Sequence, residues 1–193
     1  MTEILAIALA YGLGSVDFGV IVPRALGVDI YETGSGNPGT SNVFRTLGKR
    51  AAAMVMLGDA AKGLVAAAFG STLGDPTLGV ACALAAVVGH VFPVWHRFRG
   101  GRGVATAIGA AIWLVPLGGI LLAVGWGTAV AVTRTASVAS LVAMALYVPI
   151  FALSGFRGLP LALSAGIAAV VILRHSGNIS RLVSGGERKI DTG

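Results

Sequence analysis

Seven apolar runs alternate along this chain with short polar segments rich in glycine and arginine. A helix needs about 20 predominantly apolar residues to cross the hydrocarbon core of a bilayer. Runs approaching that length cover residues 4–22, 51–71, 78–95, 118–132, 138–153 and 159–173. Residues 103–133 form a stretch of 31 without a charge, too many for one ordinary span and few for two. Pro116, Gly118 and Gly119 near its middle are turn-forming residues. They split it into a short helix over 104–115 and a span from Gly118 onward. The short helix is expected to lie tilted, re-entrant or partly embedded in protein. The pattern predicts an all-α, polytopic membrane protein with seven transmembrane helices, forming a single integral membrane domain over residues 1–193.

Charge placement decides between six spans and seven. Apart from Lys62, which falls inside a span, 13 of the chain's 14 Lys and Arg remain. Seven spans put 12 of them on one side and leave Arg157 alone opposite; six spans divide them 8 to 5. Cytoplasmic loops of membrane proteins carry the excess of Lys and Arg. Seven spans then put the N-terminus outside, the C-terminus in the cytoplasm and residues 34–45, 89–106 and 174–187 on the cytoplasmic face. Phe92, Trp95 and Phe98 cluster at one border of that face, where aromatic rings settle. The opening MTEILAIALAYGLGS has no basic n-region and no cleavage signal, so it reads as the first span.

Composition agrees. Hydrophobic residues make up 55% of the chain and charged ones 11%, with a mean hydropathy of +0.86. Soluble domains carry roughly 25% charged residues. The net charge of +6 sits beside apolar spans and not on a soluble amphipathic face, which argues against nucleic acid as a partner. The single cysteine, Cys82, lies inside an apolar run, so no disulfide framework exists.

Three segments hold most of the polar chemistry. The first is GSGNPGTSNVFR, residues 34–45. Gly34, Gly36 and Gly39 allow backbone torsions that turn successive amide N–H groups inward around an anion. Ser35, Asn37, Thr40 and Asn42 add side-chain groups, and Thr40 or Ser41 is positioned to cap a helix aimed at the same anion. Arg45 follows with a planar fork that matches a phosphate. The second is GHVFPVWHRFRGGRGVAT, residues 89–106, in which Gly100, Gly101 and Gly103 surround Arg102 ahead of a helix start. The third is RHSGNISRLVSGGE, residues 174–187. If one helix runs through it, His175 and Asn178 share a face, and His175 is able to contact a phosphate or move a proton. Glu187 is expected to pair structurally with an arginine.

Two charges lie inside the second span. Asp59 and Lys62 are three residues apart, and mutual pairing would offset the cost of about 2.5–3.5 kcal/mol for a charge at mid-membrane. Lys62 is a candidate to reach a polar cavity beside the first segment, and Ser137 and Ser140 to line it. Asp17, in the first span, has no evident local partner.

These residues resemble the bacterial acyl-phosphate:glycerol-3-phosphate acyltransferases, the PlsY family. The likeness covers nearly the whole chain: its length, its seven apolar spans and the order of the three segments. Asp59 with Lys62-Gly63, and the serines after Arg134, also resemble family patterns. Arg102 stands where the family commonly has lysine, and Asp17 where an uncharged residue, often proline, is usual. The resemblance implies transfer of a fatty acyl group from acyl phosphate to the 1-hydroxyl of sn-glycerol-3-phosphate, giving lysophosphatidic acid and phosphate. It implies a bacterial inner-membrane enzyme facing the cytoplasm, with membrane lipid around it, a monomer, linked in function to the enzyme that makes acyl phosphate.

No His-x-x-x-x-Asp dyad is present, since Trp95, Gly101 and Ser180 stand five residues after His90, His96 and His175. Acyl phosphate is already activated, so a strong protein base is not required; no cofactor or metal is expected. Two mechanisms remain open: proton transfer to a donor phosphate oxygen, or His175 as base. His175, Asn178, Arg45 and Ser35 are the catalytic candidates. Gly34, Gly36, Asn37, Gly39, Thr40, Asn42, Lys62, Gly100, Gly101, Arg102, Gly103 and Ser140 are the further substrate-binding ones. The alternative is an organophosphate or anion transporter, which calls for broken helices near mid-bilayer.

Overall fold

The computed structural model describes residues 1–190, and every regular element among them is helical. The helices are α1 (Thr2–Gly14), α2 (Phe18–Ala25), α3 (Thr40–Leu73), α4 (Pro76–Val91), α5 (Val104–Leu114), α6 (Pro116–Thr133), α7 (Ala136–Leu153), α8 (Gly158–Arg174) and α9 (Ser176–Val183). Five stretches are long and apolar enough to cross a membrane: Thr2–Ala25, Thr40–Leu73, Pro76–His96, Pro116–Thr133 and Ala136–Leu153. The pair α8 and α9 adds a sixth, bent by 55° at its break. The expected short helix after the second segment is α5, with 11 residues. It is embedded, with Thr106 through Ala111 all buried between α3, α4 and α6. Val115 makes the turn into α6, and Pro116 takes the first helical position, where its missing N–H costs nothing.

Small residues set the helix crossings, as expected where lipid supplies no hydrophobic drive between helices. A side chain at Gly14 would strike the Ala86 backbone, and one at Gly89 would strike Tyr11, so α1 and α4 meet backbone to backbone. Gly63 against Thr106 and Gly109 against Ala60 do the same for α3 and α5. The larger core residues sit on α4, α7 and α8: Val80, Val87, Tyr147, Phe151, Ile167 and Val171. Tyr147 stacks on Phe151 with ring centroids 4.8 Å apart, and its hydroxyl donates to Ala107 O at 3.2 Å. The outer surface is apolar, with Ile4, Leu117, Val132 and Leu153 all strongly exposed, as befits a chain solvated by lipid.

Three breaks depart from the simple pattern. The first span is interrupted at Ser15–Asp17, and Asp17 does have a partner: it caps α2 by accepting from Gly19 N at 2.9 Å. α3 is kinked at Gly48, whose φ of 82° ends the helical path before it resumes. The third polar segment does not continue α8. His175 ends α8, and its carbonyl begins α9 by accepting from Asn178 N and Ile179 N.

Candidate active site

The three polar segments, far apart in sequence, fold together at one end of the bundle. In the first, Gly34 and Gly36 adopt φ of 66° and 68°. The loop is laced from inside by Asn42, whose Oδ1 accepts from Ser35 N at 2.8 Å and whose Nδ2 donates to Thr33 O at 2.9 Å. Asn42 was expected to donate to substrate. It is buried, and its amide is spent on the loop. Its neighbour Ser35 carries the complementary feature: a buried Oγ without a hydrogen-bond partner among the described residues. The loop then enters α3, with Gly39 as its N-cap. Thr40 and Ser41 were expected as caps, but they lie in the first helical turn, where backbone N–H groups have no acceptor within the helix.

The second segment doubles back on α4. Gly100 N and Gly101 N donate to the carbonyls of Val91 and His90. A side chain at Gly100 would strike His90 O, and one at Gly101 would strike the His90 ring. Arg174 of α8 donates to Gly100 O at 3.2 Å and holds the turn from the other side. Gly103, at φ 86°, caps α5. Arg102, between these glycines, is largely buried. Burial, then repulsion from Arg181, Arg174 and Arg45 against attraction from Glu187, pulls its pKa down to about 10. It is charged at neutral pH, poorly hydrated, and in contact with no carboxylate among the described residues. Tyr31 joins the first segment to the second: its hydroxyl donates to Arg99 O at 2.6 Å, and the Arg99 guanidinium lies 4.8 Å over its ring.

Glu187 ties the third segment together. It pairs with Arg181 at 2.9 Å, accepts from Ser137 Oγ at 2.8 Å and accepts from Asn178 Nδ2. Burial by itself would raise the Glu187 carboxyl; the bonds from Asn178, Ser137 and Arg181 together hold it below its ordinary value. The expected arginine pairing is therefore present, with α7 drawn in as well. His175 is 2% exposed. Its Nδ1 lies 2.8 Å from Val171 O, and a carbonyl only accepts, so Nδ1 carries the proton. Burial pulls the His175 pKa down to about 4. The ring is neutral at pH 7, with Nε2 free as an acceptor.

Three spaces meet among these groups. A groove of about 370 Å³ runs from Gly39, Thr40, Ser41 and Gly103 past His175 to apolar Met56, Leu57, Ile108, Ile112, Ala123 and Trp126. Ser137 and Ser140 line it as expected, although Ser140 Oγ donates to Ala136 O and accepts from Trp126 Nε1. A polar pocket of about 140 Å³ is lined by Ser35, Ser41, Arg45, Ser137, Asn178, Arg181 and Arg188. A wider polar pocket is lined by Ser35, Gly36, Asn37, Arg99, Gly100, Arg174 and Asn178. Arg102 borders all three. The N-termini of α3 and α5 both open into the groove, an arrangement suited to a bound anion.

One further expectation changes, and one lining residue is new. Lys62 lines none of these spaces. Its ammonium donates to Val16 O at 2.7 Å, in the break of the first span, and pairs with Asp59 at 2.8 Å. A carbonyl freed by a broken helix captures the cation before it reaches the pocket. Arg188, beyond the third segment, lines the small polar pocket and went unnoticed among the tail's charges.

The chain matches the family model described as glycerol-3-phosphate acyltransferase over residues 4–185. It is 45% identical over 191 residues to the glycerol-3-phosphate acyltransferase of Rubrobacter xylanophilus, covering 98% of this chain and 96% of that one. It is 43% identical over 187 residues to that of Geotalea daltonii, covering 96% of each. The crystal structure of PlsY (YgiH), an integral membrane glycerol 3-phosphate acyltransferase in its glycerol 3-phosphate form, superposes with a TM-score of 0.94 at 33% identity. The match covers 100% of this chain and 97% of that one. The lysophosphatidic acid form of PlsY gives 0.92. Sequence and fold thus agree with these relatives over nearly the whole chain, and the chain belongs to the glycerol-3-phosphate acyltransferase family of integral membrane acyltransferases.

Proposed function

We propose that this protein transfers a fatty acyl group from acyl phosphate to the 1-hydroxyl of sn-glycerol-3-phosphate, releasing lysophosphatidic acid and inorganic phosphate. The observation that carries this reading is Arg102, which borders two polar pockets and one apolar groove at once. A donor with a phosphate head and an oily tail, beside a phosphorylated acceptor, fills such a junction. The glycerol 3-phosphate and lysophosphatidic acid forms of the related PlsY support it.

In this reading Arg102, Arg45, Ser35 Oγ and the loop amide of Asn37 hold the phosphates; the Gly36 amide is spent on Thr33 O. The glycerol oxygen attacks the acyl carbon, the carbon–oxygen bond to phosphate breaks, and the hydroxyl proton passes to a phosphate oxygen. Orientation and a fixed positive field supply most of the acceleration. His175, neutral and weakly basic, contributes a hydrogen-bond acceptor and not a base. His175→Gln is therefore expected to lose less than the 10²–10⁴-fold typical of a missing general base. It should also keep the wild-type profile of kcat/KM between about pH 6 and pH 8. Loss of an ionisation from that profile would restore His175 as base.

Purified protein with acyl phosphate and labelled glycerol-3-phosphate, in the presence of EDTA, tests the reaction itself. Label in the lipid phase is the expected outcome; unaltered label crossing vesicles would mean a transporter. The best membrane arrangement is seven crossings of a bacterial inner membrane by one monomeric domain, with the N-terminus outside and the site in the cytoplasm. There it draws on the enzyme that makes acyl phosphate. The native Cys82 is buried, so introduced thiols report cleanly. Ser154→Cys should react with an impermeant maleimide in intact cells, and Ser184→Cys only after lysis. The reverse pattern would invert the topology.

A further inference from the structure

We infer that Gly127 is the portal through which the donor's acyl tail leaves the groove for the lipid, and that this position sets acyl-chain preference. The inference rests on the acyl-donor reading above. The groove is lined on one side by Met56 and Leu57 of α3, which are 37% and 66% exposed, and on the other by exposed Gly127 of α6. Its lining is thus shared with the outer, lipid-facing surface at these residues. The wall beside the opening is fixed, because Trp126 Nε1 donates to Ser140 Oγ at 3.1 Å. From its polar end at Val104 to Ile112, the groove follows α5 for only eight residues, about 12 Å. A long acyl tail does not fit within that length, and it leaves the groove sideways where Met56, Leu57 and Gly127 border the outer surface.

Gly127 has helical backbone angles, and a Cβ built there meets nothing within 4 Å. Packing does not demand glycine here, as it does at Gly119 against the Ile112 backbone. Glycine inside a helix costs roughly 1 kcal/mol relative to alanine, and at Gly127 it leaves open the space beside the groove. Gly125 is equally free of neighbours but does not line the groove, and it serves as the control.

The test compares kcat/KM for palmitoyl phosphate and decanoyl phosphate. In Gly127→Leu the palmitoyl-to-decanoyl ratio is expected to fall about tenfold or more, within the range that hydrophobic pockets achieve per methylene. Gly127→Ala should give a smaller fall, and Gly125→Leu should keep the wild-type ratio. An unchanged ratio in Gly127→Leu, or an equal fall in Gly125→Leu, overturns the portal. If the wild-type protein uses neither acyl phosphate, the donor reading fails by itself. The same two chain lengths presented as acyl thioesters then test the portal independently, and an unchanged ratio sinks it there too.

Discussion

Arg102→Ala is expected to lower kcat/KM for glycerol-3-phosphate by about 10²–10³, while Arg102→Lys keeps activity within roughly tenfold. The guanidinium borders both polar pockets and the groove, so in the proposed reaction its charge would act on both phosphates. The resembling family commonly carries lysine here, so charge matters more than the two-point fork. Stability should move the other way. Arg102 is largely buried and repelled by Arg181, Arg174 and Arg45, so removing it relieves repulsion within the fold. Initial rates and thermal unfolding in detergent, measured on the same preparation, separate the two effects. An Arg102→Ala protein within tenfold of wild type would remove this residue from the mechanism.

Lys62→Met is expected to destabilise the fold by about 3–5 kcal/mol, the usual cost of stranding one partner of a buried ion pair. Asp59 is 1% exposed and Asp17 0%, and both lose the cation that sits among them with His90. Val16 O loses its donor as well. The double change Asp59→Asn with Lys62→Met should recover much of the loss, because no charge pair is then left half made. The folded fraction of Lys62→Met should keep its KM for glycerol-3-phosphate, since Lys62 lines no pocket. A large rise in KM with normal unfolding would return Lys62 to the substrate.

The broad plan was legible because lipid imposes few solutions. Apolar runs of near-spanning length become helices, and short glycine segments with arginine become the places where helices end and the polar pockets form. Gly34, Gly36 and Gly103 read correctly, since each takes a positive φ that other residues resist. What the pattern missed are competitions for hydrogen bonds. Asn42 looked like a ligand because asparagine often is one, but a loop amide and a loop carbonyl reached it first. Lys62 looked available because the break at Ser15–Asp17 carries no proline or charge run to announce it; a capping aspartate is its one local sign. The bend at His175 is signalled only by Ser176-Gly177 just after it, and the helix restarts on the His175 carbonyl.

The unequal lengths of α5 and α6 have one more consequence. They are 11 and 18 residues long and share the turn at Val115. At about 1.5 Å per residue, α5 begins some 10 Å deeper in the bundle than α6 ends. The N-terminal end of α5 is thus recessed within the bundle, and in the proposed reaction an activated ester held there would be screened from bulk water. Hydrolysis of that donor would then compete poorly with transfer, and little of it would be wasted when the acceptor is scarce.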